Sequence, residues 1–196
     1  GVLRIDVDSL GGEVSHPPKN TPATGETSGY YIPNDNPFIG GEDALEEFWA
    51  IGLRNPFRMS FDPSTGRLFA GDVGAHKFES IVEIKKGSNH RWSIYEGEGE
   101  YALREAGIPA QTVGEMTAPL LTYPHTGMNR AVIGGVVYRG RELGGLAGRY
   151  IYGDNASGRV WELDLGTLEQ SEITTLVARG DDGLVSFAVD PAGEVH

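Results

Sequence analysis

Two heptapeptides constrain this chain more than any other feature. Gly66-Arg67-Leu68-Phe69-Ala70-Gly71-Asp72 and Gly148-Arg149-Tyr150-Ile151-Tyr152-Gly153-Asp154 share a leading Gly-Arg, two bulky residues and a closing Gly-Asp. They lie 82 residues apart, and a third start, Gly193-Glu194-Val195, follows 45 residues after the second. Taking 82 as two units of 41 gives a period of 41 to 45. A period of about 40–50 residues built from short strands is the mark of a β-propeller, with one four-stranded sheet per blade. The flanks repeat as well. Phe61-Asp62-Pro63-Ser64-Thr65-Gly66 and Phe187-Ala188-Val189-Asp190-Pro191-Ala192-Gly193 both end an apolar strand in an Asp-Pro turn and a glycine. Asp and Pro set such a turn and glycine supplies the positive φ, so one blade hairpin is written twice.

Further strands are expected at Val2 to Val7, Ser80 to Ile84, Ala131 to Tyr138, Arg159 to Leu163 and Glu172 to Val177, from alternation or β-branched content. The 29 glycines and 11 prolines among 196 residues fit an all-β chain with frequent turns. Gly11 to Tyr30 is poor in large apolar residues and reads as a long surface loop. Ala44 to Ile51 has helical spacing and predicts a short helix, or a turn before a strand; Tyr101 to Gly107 is a weaker helical candidate. The repeat stops inside a motif at His196, and residue 1 is Gly with no visible signal peptide. Residues 1–196 therefore read as one partial propeller domain, truncated at both ends, with about four blades present in whole or part.

Charge and composition exclude several functions. The net charge of −12 repels phosphate backbones, so nucleic acid is not an expected partner. Without cysteine there is no disulfide, thiolate zinc site or cysteine nucleophile. No apolar run approaches the ~20 residues needed to span a bilayer. The five histidines form no H-x-x-x-H or H-E-x-x-H pattern, and G-x-S-x-G, Walker A and G-x-G-x-x-G motifs are absent.

Three segments carry chemistry-bearing residues. In Gly52-Leu53-Arg54-Asn55-Pro56-Phe57-Arg58, a rigid loop displays an Arg fork and an Asn amide, suited to carboxylates or quinone oxygens; a structural Arg binding loop carbonyls fits the same residues. In Gly71-Asp72-Val73-Gly74-Ala75-His76-Lys77-Phe78-Glu79, exposed carbonyls beside carboxylates suit Ca2+, although the residues by themselves favour a blade turn capped by Asp72. In Ile133-Gly134-Gly135-Val136-Val137-Tyr138-Arg139, the double glycine marks a bulge or a close backbone approach, and Arg139 points to a ligand or to solvent. His76 and His125 are the histidines best placed for a polar site.

The run GLRNPFRMSFDPSTGRLFAGDVG, Gly52 to Gly74, resembles the signature of the glucose/sorbosone dehydrogenase family, six-bladed propellers that include the soluble quinoprotein sugar dehydrogenases. Val2 to Asp6, Tyr31 to Phe38, Asn89 to Trp92 with Glu96-Gly97, and Ile133 to Gly140 resemble further family segments. The resemblance implies oxidation of an aldose at its anomeric carbon to a lactone, with hydride transfer to pyrroloquinoline quinone (PQQ) held with Ca2+. It places Arg54 at the quinone oxyanion, Arg54, Asn55 and Arg139 against the cofactor, and the carbonyls of Gly74 and Ala75 on the metal. It puts the general base, a His, upstream of Gly1, and none of His76, His90 and His125 in that role. It implies a sugar substrate, an electron acceptor and a periplasmic or secreted location. The sequence departs from the quinoproteins at Leu53, often His, and at Ala75, usually Gln. The alternatives are a cofactor-free propeller that binds carbohydrate or protein, as in hedgehog-interacting-protein-like relatives, and a calcium-dependent lactonase-type hydrolase.

Overall fold

The computed structural model describes residues 1–19, 28–41, 44–101, 113–176 and 183–196. Its strands are β1 (Val2–Leu3), β2 (Ser15–His16), β3 (Ile32–Pro33), β4 (Phe48–Ala50), β5 (Pro56–Phe61), β6 (Leu68–Asp72), β7 (Phe78–Ile84) and β8 (Ser88–Asn89). They continue as β9 (Tyr95–Glu96), β10 (Gly99–Glu100), β11 (Glu115–Met116), β12 (Leu121–Pro124), β13 (Val132–Val137), β14 (Tyr150–Asp154), β15 (Arg159–Leu163) and β16 (Gln170–Thr175). Among the described residues the only helical element is a 3-10 turn at Gly144–Leu146, and no helix is long and apolar enough to cross a membrane.

Two complete antiparallel four-stranded sheets form the body, ordered β5-β6-β7-β12 and β13-β14-β15-β16. The two heptapeptides are the second strands of these successive blades. The interval of 82 is therefore one blade, not two units of 41, because residues 85–120, with β8 to β11, are inserted between its third and fourth strands. The interval of 45 is a blade without that insertion. β1 and β4 form part of a preceding layer, and the Val189–Val195 bridge closes the hairpin that starts a following one.

Each second strand is buried on both faces. In β6, Leu68 and Ala70 point to a cluster with Val2, Ala50, Leu53, Val82 and Ile84, and Phe69 points the other way. There Phe69 meets Tyr150, Tyr152, Trp161 and Tyr123 in one aromatic core between the sheets, with Phe69 and Tyr150 5.3 Å apart and Tyr152 and Trp161 5.4 Å apart. In β14, Tyr150 and Tyr152 face this core, while Ile151 packs with Tyr138, Val160 and the C-terminal Leu184 and Phe187. The alternation is that of any strand; here both sets are apolar because both sheet faces are covered.

The glycine of each Gly-Asp ending lets the next layer approach. A Cβ on Gly71 would lie 2.5 Å from the amide nitrogen of Gly134, in the double glycine of β13; one on Gly153 would lie 2.4 Å from Leu184. The double glycine thus marks a close approach between blades.

The Asp-Pro hairpin also recurs. The Asp62 amide donates to Arg67 O at 2.8 Å, and the Asp190 amide to Glu194 O at 3.0 Å. Arg139 is fixed on the first of these turns. Its Nε and Nη2 donate to the two oxygens of Asp62 at 2.9 and 2.6 Å. Asp62 directly follows β5 and Arg54 precedes it, so Arg139 lies at the opposite end of the sheet from Arg54. Here it is an inter-blade clamp: Asp62 is the partner that holds it, away from the Arg54 loop. Ala44 to Ile51 is a turn leading into β4. Glu46 and Glu47 are buried there, Glu46 accepting from the amides of Lys19 and Gly40 and Glu47 from Tyr30 Oη, so neither forms the polar face of a helix. The expected surface loop at Gly11 to Tyr30 contains β2, paired with β3, and its residues 20–27 lie outside the described set. The helical candidate Tyr101 to Gly107 lies outside it except for Tyr101.

Two predictions follow from this packing. Gly71→Ala forces a methyl into backbone and is expected to cost about 3 kcal/mol, whereas Gly66→Ala, with a positive φ but open space around it, costs about 1 kcal/mol. Equal losses in denaturant titrations of the two variants would count against the packing account. For the clamp, burial pushes the Asp62 carboxyl up, and hydrogen bonds from Arg139, Thr65 and Ser64 more than reverse this, holding it at about 2. A carboxyl depressed in the folded state stabilises above its unfolded pKa and loses that effect as pH falls through the folded value, here between about pH 4 and about pH 2. Arg139→Ala is expected to lower unfolding free energy by about 2–3 kcal/mol at pH 7 and to flatten the acid limb in that window. An unchanged midpoint would show the pair to be idle.

Candidate functional site

The other end of the β5-β6-β7-β12 sheet gathers the remaining predicted residues. The Asp72 carboxylate, at the end of β6, accepts the amides of Arg54 at 3.1 Å and Asn55 at 2.7 Å, and Val73 N donates to Asn55 O at 3.0 Å. The residue that closes the repeat motif therefore holds the Arg-Asn loop. Asp154 has the same place in the next blade, where it accepts the amides of Ala131 and Ser157 and the hydroxyl of Tyr123. Burial pushes the Asp72 carboxyl above the ordinary carboxylate range, against the two amide hydrogen bonds.

Arg54 and Asn55 are exposed. Arg54 Nη1 donates to Val73 O at 3.0 Å, and the guanidinium lies over the Trp92 ring, 5.6 Å from its centroid. The structural role and the displayed role thus coexist: one nitrogen ties down a loop carbonyl, and the others have no hydrogen bond among the described residues. The Asn55 side chain has none there either. Trp92 packs on Tyr101, 4.6 Å between centroids, and Tyr101 stacks on His76 at 6.3 Å. These rings link the Arg54 loop to the loop that follows β6.

That second loop, residues 74–78, is shaped by buried carboxylates. Glu96 Oε1 accepts four successive amides, from Ala75 at 2.9 Å, His76 at 2.7 Å, Lys77 at 2.7 Å and Phe78 at 3.1 Å. Successive N–H groups turned to one point form an anion nest, filled here by the chain's own side chain. Burial pushes the Glu96 carboxyl up, and the four amides outweigh it and hold it below the ordinary range. Glu79, fully buried, accepts Val132 N at 3.0 Å, Gly74 N at 3.4 Å and a 2.5 Å contact from His125 Nε2. Burial keeps the Glu79 carboxyl raised. Gly74 is obligatory, since a Cβ there would lie 1.6 Å from Phe78 O.

With all five amides facing inward, the carbonyls of Gly74 and Ala75 accept no hydrogen bond among the described residues. Two free carbonyl oxygens are hard ligands of the kind Ca2+ takes, and they supply part of its six to eight, leaving room for cofactor oxygens and water. The described residues hold no cluster of three or more His, Asp or Glu suited to a metal. A cavity of about 20 Å³ lies behind the two loops, lined by Arg54, Asp72, His90, Trp92 and Glu96 among others. His90 contacts Ser88 Oγ through Nε2 at 3.0 Å, and burial lowers its pKa to about 4, so it is neutral near pH 7.

The structure thus brings Arg54, Asn55, Gly74 and Ala75 to one end and leaves Arg139 at the other. Asp72 and Glu79 were read from sequence as a turn cap and as carboxylates beside the carbonyls, and the part of Glu96 in holding that end was not. The Gly-Asp repeat pointed to Asp72, but Glu96 reaches its loop from across the insertion.

Comparison with known proteins gives the family of the chain. Residues 27–194 match the family model Glucose / Sorbosone dehydrogenase. The chain is 34% identical to the HIPL1 protein of Arabidopsis thaliana over 170 residues, which is 82% of this chain and 24% of that protein; the HIPL2 protein of the same plant is 35% identical over 167 residues. It is 36% identical over 63 residues, 32% of this chain, to the aldose sugar dehydrogenase YliI of Escherichia coli. Among solved structures, the apo form of the soluble aldose sugar dehydrogenase of Escherichia coli superposes with a TM-score of 0.65 at 22% identity, over 84% of this chain and 47% of that one. The PQQ-bound aldose sugar dehydrogenase of Streptomyces coelicolor does so with a TM-score of 0.53 at 19% identity, over 83% and 42%. The chain spans about a quarter of the length of the HIPL proteins it matches. At this identity the superpositions establish the propeller fold, and the family model with the 82% coverage settles the relationship: the chain belongs to the glucose/sorbosone dehydrogenase family.

Proposed function

We propose that the complete protein is a PQQ-dependent sugar dehydrogenase that oxidises an aldose at the anomeric carbon to a lactone. The observation that carries this reading is the convergence of Arg54, Asn55 and the free carbonyls of Gly74 and Ala75 at one end of a blade. When bound, PQQ would supply the acceptor for the sugar's anomeric hydride, and Ca2+ would supply Lewis acidity at the quinone. The chain's part is positioning and charge. Gly74 and Ala75 would hold the metal through their carbonyls. Arg54, steadied by Val73 O and Trp92, would present its unused donors to the oxygen on which negative charge develops, and Asn55 would hydrogen-bond beside it. Asp72 fixes both residues through their amides, so little reorganisation is needed as charge builds. A separate electron acceptor reoxidises the system, and the proposed location is periplasmic or secreted. Identities of 34% and 35% to HIPL proteins support a second reading, a cofactor-free propeller that binds carbohydrate or protein.

The test is reconstitution of the complete protein with PQQ and Ca2+, followed by sugar-dependent dye reduction. Turnover is expected, with Arg54→Ala lowering kcat by about 10²–10³-fold at an unchanged melting temperature. No dye reduction, together with no quinone absorbance retained through gel filtration, would leave the binding-module reading in its place.

A further inference from the structure

We infer that Glu96 is a positioning residue for the metal loop: it captures four consecutive amides, turns the Gly74 and Ala75 carbonyls outward, and sets its negative charge behind them. This rests on the reading of Gly74 and Ala75 as a Ca2+ site.

The argument is one of peptide geometry. Each peptide unit points its N–H and C=O in opposite directions, so a loop that directs its amides at one interior point directs carbonyls away from it. Here the interior point is Glu96 Oε1, at 2.7 to 3.1 Å from the nitrogens of residues 75–78. Glu79 takes the fifth amide, that of Gly74. The two carboxylates come from different parts of the chain, Glu79 at the start of β7 and Glu96 at the end of β9, and both are buried. Glu96 is 3% exposed, and its second oxygen, Oε2, is buried with no hydrogen-bond partner. Its charge is therefore balanced by amide dipoles and by no cation among the described residues. The amides lie between that charge and the outward carbonyls, so both carbonyl dipoles and the carboxylate field favour a cation on the outer face.

Capping alone and cation positioning make different predictions for the isosteric amide. Glu96→Gln keeps an oxygen in the nest and removes the charge. Ca2+ is titrated calorimetrically into the chelator-treated complete protein, with and without PQQ, and melting temperature is recorded in chelator. We expect Glu96→Gln to weaken Ca2+ binding at least about tenfold with a small change in metal-free melting temperature, and Glu96→Ala to weaken it further. Glu98→Gln removes the same charge from an exposed neighbour and leaves affinity within about twofold. Unchanged affinity in Glu96→Gln overturns the inference while leaving the metal loop in place. Absence of Ca2+ binding by the unmodified protein overturns the metal loop and the inference with it. If Glu96→Gln does not fold, Glu79→Gln is read by the same criterion, since it too takes a charge from behind the loop.

Discussion

The architecture depends on covering both faces of every sheet. A blade whose second strand is apolar on each side, as β6 and β14 are, has no solvent face and is stable only between two neighbours. Close stacking in turn requires backbone to meet backbone, which Gly71 and Gly134 permit at a separation no side chain would tolerate. The aromatic core of Phe69, Tyr123, Tyr150, Tyr152 and Trp161 fills the space that this approach leaves. Where the glycine ends, the aspartate begins, and Asp72 and Asp154 convert the strand terminus into an anchor for the loop that enters their own blade. The candidate site is thus a by-product of how a blade is terminated.

At that end the chain uses carboxylates where many sites use packing. Asp72, Glu79 and Glu96 together bind eight backbone amides across the two loops and the start of β13. The division of labour is clear: of the side chains that hold the loops Glu79 and Glu96 are buried and Asp72 is half-buried, and the groups left free on the outside are an exposed Arg, an exposed Asn and two carbonyls. This is the arrangement expected of a site that must be rigid before its ligand arrives.

The local parts of this design were legible in the sequence. The Gly-Arg and Gly-Asp repeat, the two Asp-Pro hairpins and the strand at Arg159–Leu163 are consequences of neighbours along the chain, and they appear as read. The period was misjudged because an insertion between the third and fourth strands of one blade happens to double its length. The partner of Arg139 was illegible for a related reason: a basic residue at a strand end does not say which end of the sheet it occupies, and Asp62 lies 77 residues away. Glu46 and Glu47 look like the polar face of a helix until the loops that bury them are known. Glu96 illustrates the limit best, since nothing near it in sequence announces four amides 18 to 21 residues upstream.

The same carboxylates bear on how such a surface meets its surroundings. Ion pairs between opposite charges weaken as dissolved salt screens them, whereas bonds from a buried carboxylate to peptide amides have no mobile counter-charge to lose. In a chain of net charge −12, the loop at residues 74–78, fastened by the buried Glu79 and Glu96, is one whose shape depends little on ionic strength. Salt would alter how strongly the acidic exterior draws in a cation, and leave unaltered the geometry that receives it.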